Sequence, residues 1–299
     1  MESHVATPDC APGQAKVFPW VSIAWYGALL LILFAPVLAT MVKEWATDES
    51  MGHGFFVPLV AGYIVWQHRE KILNTPVRPH WSGYFLIVFG FISLIVGILG
   101  AEFSVQRAGF MFTLWGILLA TCGWPMMRVL IFPLVILLFM IRMPLFIYSH
   151  ITFPLQLFAS RVAELNLQLL DIPVLREGNV LELASQKLNV VEACSGIRSL
   201  LSLTFLSLVY GYLFESRLWL RVVLFLATIP IAIFGNAARV TLTGIFSEIN
   251  PELSRGIYHT FEGWVIFMVA LVCLIATHQI IRLIVMAFTS SSRVEQPSS

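Results

Sequence analysis

Long apolar stretches without a single charged residue constrain the fold of this chain more than any other feature of its sequence. Four of them have the roughly 20 residues that a helix needs to cross about 30 Å of hydrocarbon. They run from Val17 to Val42, Trp81 to Ala101, Ala108 to Met127 and Gly263 to Ile281. Because 58% of the residues are hydrophobic and only 12% are charged, we expect lipid to be the main solvent of the chain.

Four shorter apolar runs complete the predicted set of spans. They cover Gly54 to Gln67, Val129 to Ile141, Ser199 to Phe214 and Val222 to Ala238. None of them alternates apolar and polar residues as a strand would, and a bilayer is crossed only by helices or closed barrels. The sequence therefore predicts an all-α polytopic membrane protein with about eight transmembrane helices.

The basic residues predict the orientation of these spans. Lysine and arginine accumulate in cytoplasmic loops, and a cytoplasmic amino terminus agrees with that bias. We expect a cytoplasmic tail (1–16), a single membrane-embedded domain (17–288) and a disordered carboxy-terminal tail (289–299). The amino-terminal tail lacks the basic start and the cleavage site of a signal peptide, so the first run is interpreted as a retained span. The residues that this orientation places inside are Arg69, Lys71, Arg78, Arg128, Arg217, Arg221, Arg282 and Arg293.

One long segment, 142–193, is predicted to lie outside the cytoplasm. Apolar residues between Leu155 and Leu170 recur at three- and four-residue steps, which predicts an amphipathic helix on the membrane surface. The pair Gly178-Asn179 is typical of a turn. Val180 to Leu183 and Lys187 to Val191 are expected to pair as a small β-hairpin across residues 184–186.

Charge and cysteine usage exclude some functions. A formal net charge of +1 leaves no surplus to neutralise a nucleic-acid backbone, so we expect no nucleic-acid partner. The four cysteines show no paired spacing. Cys122 and Cys273 fall within predicted spans and Cys10 is predicted to be cytoplasmic. Cys194 is therefore expected to be a free thiol on the outer face.

Cys194 is the first candidate for covalent chemistry. It stands in Glu192-Ala193-Cys194-Ser195-Gly196-Ile197-Arg198, directly before a predicted span. A helix amino terminus and a nearby arginine both favour thiolate over thiol. The alternative interpretation is a small buried cysteine at a span boundary.

Arg239 and His259 are the second and third candidates. Arg239 closes the seventh predicted span in Asn236-Ala237-Ala238-Arg239, where an arginine needs a functional partner or snorkels to the interface. His259 precedes the eighth span and has a side chain suited to proton transfer, although a lone interfacial histidine is an ordinary feature. The number of spans between them places all three residues on one membrane face. A thiolate, a cation and a proton carrier meet the needs of acyl transfer.

The sequence resembles the exosortase and archaeosortase family of membrane-embedded cysteine transpeptidases. The most specific part is Val190-Val191-Glu192-Ala193-Cys194-Ser195-Gly196-Ile197-Arg198-Ser199-Leu200, followed in order by Asn236-Ala237-Ala238-Arg239 and Tyr258-His259. Two further stretches contribute, Gly52-His53-Gly54-Phe55-Phe56-Val57-Pro58-Leu59 and Val174-Leu175-Arg176-Glu177-Gly178-Asn179.

The resemblance implies roles for these residues. Cys194 would be the nucleophile of a thiol protease or transpeptidase, Arg239 the catalytic arginine and His259 the acid/base. Substrates would be exported proteins with a carboxy-terminal Pro-Glu-Pro-like signal, a transmembrane helix and a basic tail. Cleavage would occur at the periplasmic face of a Gram-negative inner membrane, with water or a lipid- or glycan-linked amine as acceptor. Around the nucleophile we expect Glu192, Arg198, Asn236 and His53 to bind substrate or position the catalytic groups.

Two other functions are compatible with parts of the sequence. A transporter is suggested by intramembrane polar residues such as Asn236 and His278, but the halves of the chain show no clear repeat. A metal enzyme would need His53, His259 and Glu192 as ligands, and these lack the paired spacing of known metal motifs. We therefore expect neither a metal nor another cofactor.

Overall fold

The structure, a computed structural model, describes residues 18–190, 197–250 and 256–294. It is mainly helical with one small sheet, as the sequence predicts. The predicted amino-terminal tail, Cys194 with Glu192, and the last five residues lie outside the described part. The helices are α1 (Trp20–Leu33), α2 (Ala35–Thr47), α3 (Phe56–Gln67), α4 (Arg69–Asn74), α5 (Ser82–Leu99), α6 (Phe103–Thr121), α7 (Trp124–Ile136), α8 (Leu145–Leu169), α9 (Ile197–Phe214), α10 (Leu218–Ile249) and α11 (Gly256–Val294). Short 3₁₀ helices cover Glu49–Phe55 and Leu137–Met140, and the strands are β1 (Val174–Glu177), β2 (Val180–Leu183) and β3 (Lys187–Asn189).

The part of the chain that the structure describes does not confirm the predicted number of membrane-crossing helices. Among the described residues four qualify by length and composition: Ser82–Leu99, Phe103–Thr121, Leu218–Ile249 and Phe261–Ala287. The total reaches six if each of two sharply bent helix pairs counts as one span. The predicted eight spans are therefore not confirmed. The physical reason is helix length, since the 12 residues of α3 reach only about 18 Å at 1.5 Å per residue.

Prolines account for both bent pairs. The run from Val17 to Val42 is divided between α1 and α2, which meet at 70° around Phe34. Pro36, two residues on, has no N–H to donate and its ring crowds the preceding turn. The second pair, Trp124–Met140 with Leu145–Leu169, is interrupted just before Pro144. The predicted span from Val129 to Ile141 is thus one arm of a bent pair.

The described chain divides into two compact units, and the first contains the closest helix packing. It runs to Lys43 and resumes over Val57–Ile141. Gly83, Gly90 and Gly97, spaced seven apart, let α5 approach α6 closely. A Cβ on Gly90 would stand 2.3 Å from Thr113 Oγ1 and 2.7 Å from the Gly109 carbonyl oxygen. Small residues at such an interface let backbones pack directly against each other.

The second unit comprises Glu44–Phe56 and the chain from Arg142 onward, and it contains the sheet. β1, β2 and β3 form an antiparallel sheet in that order, with Leu181 opposite Leu188. The pairing of β2 with β3 is the predicted hairpin. The sequence missed β1, which pairs with β2 across Gly178-Asn179, where Gly178 has the positive φ of 66° that a primed two-residue turn requires.

The sheet is part of a core and is not a separate appendage. Its buried leucines pack with one face of α8 and with α10. Helix α8 begins at Leu145 rather than at the predicted Leu155 and continues through Pro154. The residues of this core are Ala159, Ala163, Leu167, Leu181, Leu183, Leu188, Val190, Ala237 and Val240.

Helices α9, α10 and α11 pack against one another in the same unit. Leu203 of α9 meets Leu224 and Ala232 of α10, together with Ala270 and Leu274 of α11. Helix α11 extends through Val294 and so includes the first residues of the segment predicted to be a disordered tail.

Candidate active site

Arg239 and Asn236 share one face of α10. They are 8% and 6% exposed, and a three-residue step places them on adjacent turns. Ala237 and Val240, each the next residue after one of this pair, belong to the core formed with α8 and the sheet. This packing helps to fix the rotation of α10, with Arg239 against α11 and Asn236 beside Leu155 and Leu200.

The guanidinium group of Arg239 lies against the backbone of α11. A Cβ built on Gly263 would stand 2.9 Å from Nη2 and 3.0 Å from Cζ of Arg239. The two helices run in opposite directions at this interface. One turn before Arg239 on α10, a Cβ on Gly235 would stand 3.7 Å from Ile266, which is about one turn after Gly263 on α11. Position 259 is one helical turn before Gly263, and residues four apart share a face of a helix. The arginine therefore reaches α11 within one turn of His259, whose own side chain is not described.

Thr243 and Glu262 form a polar contact beside this arginine. The Thr243 hydroxyl lies 3.0 and 3.1 Å from the two carboxylate oxygens of Glu262 and 2.9 Å from the backbone carbonyl oxygen of Arg239. Thr243 is fully buried and Glu262 is 6% exposed. Sequence reasoning did not select Thr243, Glu262 or Gly263. The available signal was the position of Glu262, three residues after His259.

The proposed nucleophile lies just outside the described residues. Helix α9 begins at Ile197, three residues after Cys194. Leu200 of α9 lines a small cleft with Asn236 of α10 and Leu155 of α8. The first turns of α9 therefore lie at the same level as the turn of α10 that leads to Arg239. Glu192 also lies outside the described part.

Arg198, on the first turn of α9, is close enough to Asp48 for their charges to interact, and Arg142 belongs to the same charged group. Burial raises the pKa of the Asp48 carboxyl, but hydrogen bonds from the Ser50 hydroxyl and backbone N–H and the charges of Arg142 and Arg198 outweigh it, and the net pKa is lowered. Asp48 Oδ2 lies 3.1 Å from Arg142 Nη2. Asp48 also caps the 3₁₀ helix Glu49–Phe55 by accepting from the Ser50 backbone N–H at 2.8 Å.

His53 is carried by that 3₁₀ helix and faces α9. Its Nδ1 lies 3.5 Å from Ser202 Oγ, and its ring centroid is 6.2 Å from that of Phe205. The structure therefore brings His53 and Arg198 to successive turns of the helix that follows Cys194. Among the described residues no group of three His, Cys, Asp or Glu side chains is arranged to hold a metal ion.

Comparison with known proteins identifies the family. Residues 45–276 match the sequence profile of the transmembrane exosortases (Exosortase_EpsH). Because the match covers most of the chain, the protein belongs to this family, which confirms the resemblance found in the sequence. The comparisons with curated proteins and with solved structures gave no significant match.

Proposed function

We propose that this protein is a membrane-embedded cysteine peptidase and transpeptidase that removes the carboxy-terminal sorting signal of exported proteins. The observation that carries the proposal is the approach of Arg239 to α11 one turn from His259, at the end of the bundle where α9 begins after Cys194. Membership of the transmembrane exosortase family supports the same assignment.

The proposed reaction has two steps. In the first, the Cys194 thiolate attacks the scissile carbonyl carbon and forms a C–S bond, while the Arg239 cation offsets the negative charge that develops on oxygen. His259 then donates a proton to the amide nitrogen, the C–N bond breaks and a thioester remains. In the second step an acceptor loses its proton to His259 and attacks the thioester, which releases the thiolate. Water gives a carboxylic acid, and a lipid- or glycan-linked amine gives a new amide.

The substrate is proposed to approach within the membrane. A sorting signal that ends in its own transmembrane helix diffuses in two dimensions and presents its scissile peptide at a constrained depth, so proximity supplies part of the catalysis. The positive-inside bias of the basic residues supports a site on the periplasmic face of the bacterial inner membrane. Asn236 lines the cleft beside Leu200 and is suited to hydrogen-bond the substrate backbone, and Glu192, Arg198 and His53 are proposed to position Cys194 or the substrate.

The test is co-expression with an exported protein that carries such a signal. Wild-type enzyme is expected to produce a shortened substrate, and mass spectrometry of its new carboxy terminus identifies the acceptor by the added mass. Cys194→Ala should abolish the product, whereas the matched control Cys273→Ala, at an exposed cysteine, should retain it. Equal cleavage by wild type and Cys194→Ala would refute the proposal.

A further inference from the structure

We infer that Gly263, Glu262 and Thr243 form a seat that sets the direction in which the Arg239 guanidinium points. The inference rests on the proposed function, because it assigns these residues a positioning role for the arginine of that reaction. None of the three is proposed to touch the substrate. The seat is built by two helices, with Thr243 on α10 and the other two residues on α11.

Gly263 supplies the space for the guanidinium group. The three atoms nearest to a Cβ at this position are Nη2, Cζ and Nη1 of Arg239, at 2.9, 3.0 and 3.4 Å. All three belong to the far end of a flexible side chain, and none belongs to the backbone. A methyl group here therefore pushes the guanidinium aside and leaves the helices in place. Gly90 provides the contrast, because a Cβ there would clash with a backbone carbonyl.

Glu262 and Thr243 fix the two helices at the level of that space. Thr243 is one turn beyond Arg239 on α10, and Glu262 directly precedes Gly263 on α11. The hydroxyl-to-carboxylate contacts of 3.0 and 3.1 Å join the helices at this point, in surroundings that leave Glu262 only 6% exposed. Because Glu262 directly precedes the glycine against which the guanidinium packs, its negative charge also favours the buried cation where water is scarce.

The geometry separates this role from ordinary helix packing. Gly235 lies on the same α10–α11 interface, yet a Cβ there would make only an ordinary contact of 3.7 Å with Ile266. If glycine served general close packing, both positions would be equally tight. The tight position is the one that faces the arginine, so Gly235→Ala is a matched control for Gly263→Ala.

The first arm of the test measures cleavage by the full-length protein. Gly263→Ala is expected to lower kcat about tenfold or more, with KM changed by about twofold or less, because the oxyanion contact exists only in the transition state. Glu262→Gln should lower kcat in the same way, and Glu262→Asp should restore part of it. Gly235→Ala should match wild type. Wild-type kcat in Gly263→Ala, or an equal loss in Gly235→Ala, would overturn the positioning role.

The second arm does not depend on activity. Thermal unfolding of wild type, Gly263→Ala, Arg239→Ala and the double variant forms a mutant cycle. The methyl group should lower Tm when Arg239 is present and should not lower it when Arg239 is replaced by alanine. If the Tm changes caused by Gly263→Ala and Arg239→Ala simply added in the double variant, the inference that Gly263 positions Arg239 would be overturned. Failure of the proposed function is distinguishable, since it would appear as Cys194-independent cleavage whatever the cycle shows.

Discussion

Tyr210 and His278 are hydrogen-bonded across α9 and α11, with 2.8 Å between Oη and Nδ1. The other ring nitrogen of His278 lies 3.3 Å from Glu215 Oε2, just beyond the end of α9. His278 is 1% exposed and Glu215 is 8% exposed. Buried polar groups of this kind are costly unless every member has a partner, so the chain Tyr210–His278–Glu215 ties together the end of the helices that lies away from Arg239.

Replacing Tyr210 by phenylalanine should therefore destabilise the protein. The change removes the hydroxyl and leaves His278 Nδ1 without that partner, which costs about 1–3 kcal/mol of unfolding free energy. Thermal unfolding in detergent measures the effect. Tyr84→Phe, at an exposed tyrosine of α5, should leave Tm unchanged, and an equal Tm for Tyr210→Phe and wild type would contradict the prediction.

Replacing Gly90 by alanine should destabilise the first unit. The methyl group would overlap Thr113 Oγ1 and the Gly109 carbonyl oxygen, so α5 and α6 must separate. Overpacking of this kind costs roughly 1–3 kcal/mol. Gly62→Ala is the control, because nothing lies within 4 Å of a Cβ there and alanine is the better helix former. The fraction of folded protein in size-exclusion chromatography and its Tm should fall only for Gly90→Ala.

The Asp48 carboxylate should contribute stability that depends on pH. Its pKa is lowered from the ordinary value of 3.8, so folding favours the charged form. The contribution is fully present above pH 3.8 and is lost as the pH falls through the lower pKa of the folded state. The Tm difference between wild type and Asp48→Asn should be constant from about pH 5 to 7 and should shrink below the ordinary value. A difference that grows on acidification would show that the sign is wrong.

Ser247 should hold the β2–β3 turn on the end of α10. Its hydroxyl lies 2.7 Å from Gln186 Nε2 and 3.0 Å from Ser185 Oγ, and the residue is fully buried. Ser247→Ala should increase amide hydrogen exchange in residues 184–187, because the turn loses both contacts. Ser93→Ala, whose hydroxyl bonds only to its own helix at Phe89, is the control. Unchanged hydrogen exchange in residues 184–187 would contradict the role of Ser247 in holding the turn.

Local patterns account for the parts of the fold that were predicted well. The hairpin of β2 and β3 follows from the apolar residues on either side of residues 184–186, and the structure pairs these strands with Leu181 opposite Leu188. The long helices α5, α6 and α11 follow from apolar runs of sufficient length, whereas α10 extends well beyond the shorter predicted run from Val222 to Ala238. The predicted span count is not confirmed, because hydropathy measures the length of an apolar run and is insensitive to a bend such as that at Phe34.

The residues of the candidate site also differ in how well the sequence alone could identify them. Arg239 and Asn236 could be selected from the chain alone, because charged and amide side chains within an apolar run are costly and stand out. Gly263 and Thr243 could not be selected, since glycine is common in membrane helices and threonine is an ordinary residue there, and Glu262 offered only its position three residues after His259. Their significance appears only when the partner across the interface is known.

The amino-acid order was sufficient to predict a helical membrane protein, its family and the candidate residues of the site, because each of these predictions depends on neighbours a few positions apart. Which residues face Arg239 was decided by the packing of α10 on α11. That register pairs Gly235 with Ile266, Arg239 with Gly263 and Thr243 with Glu262, and it results from many apolar contacts acting together. No local pattern encodes it, because the energy of a helix pair depends on how two complete surfaces interlock.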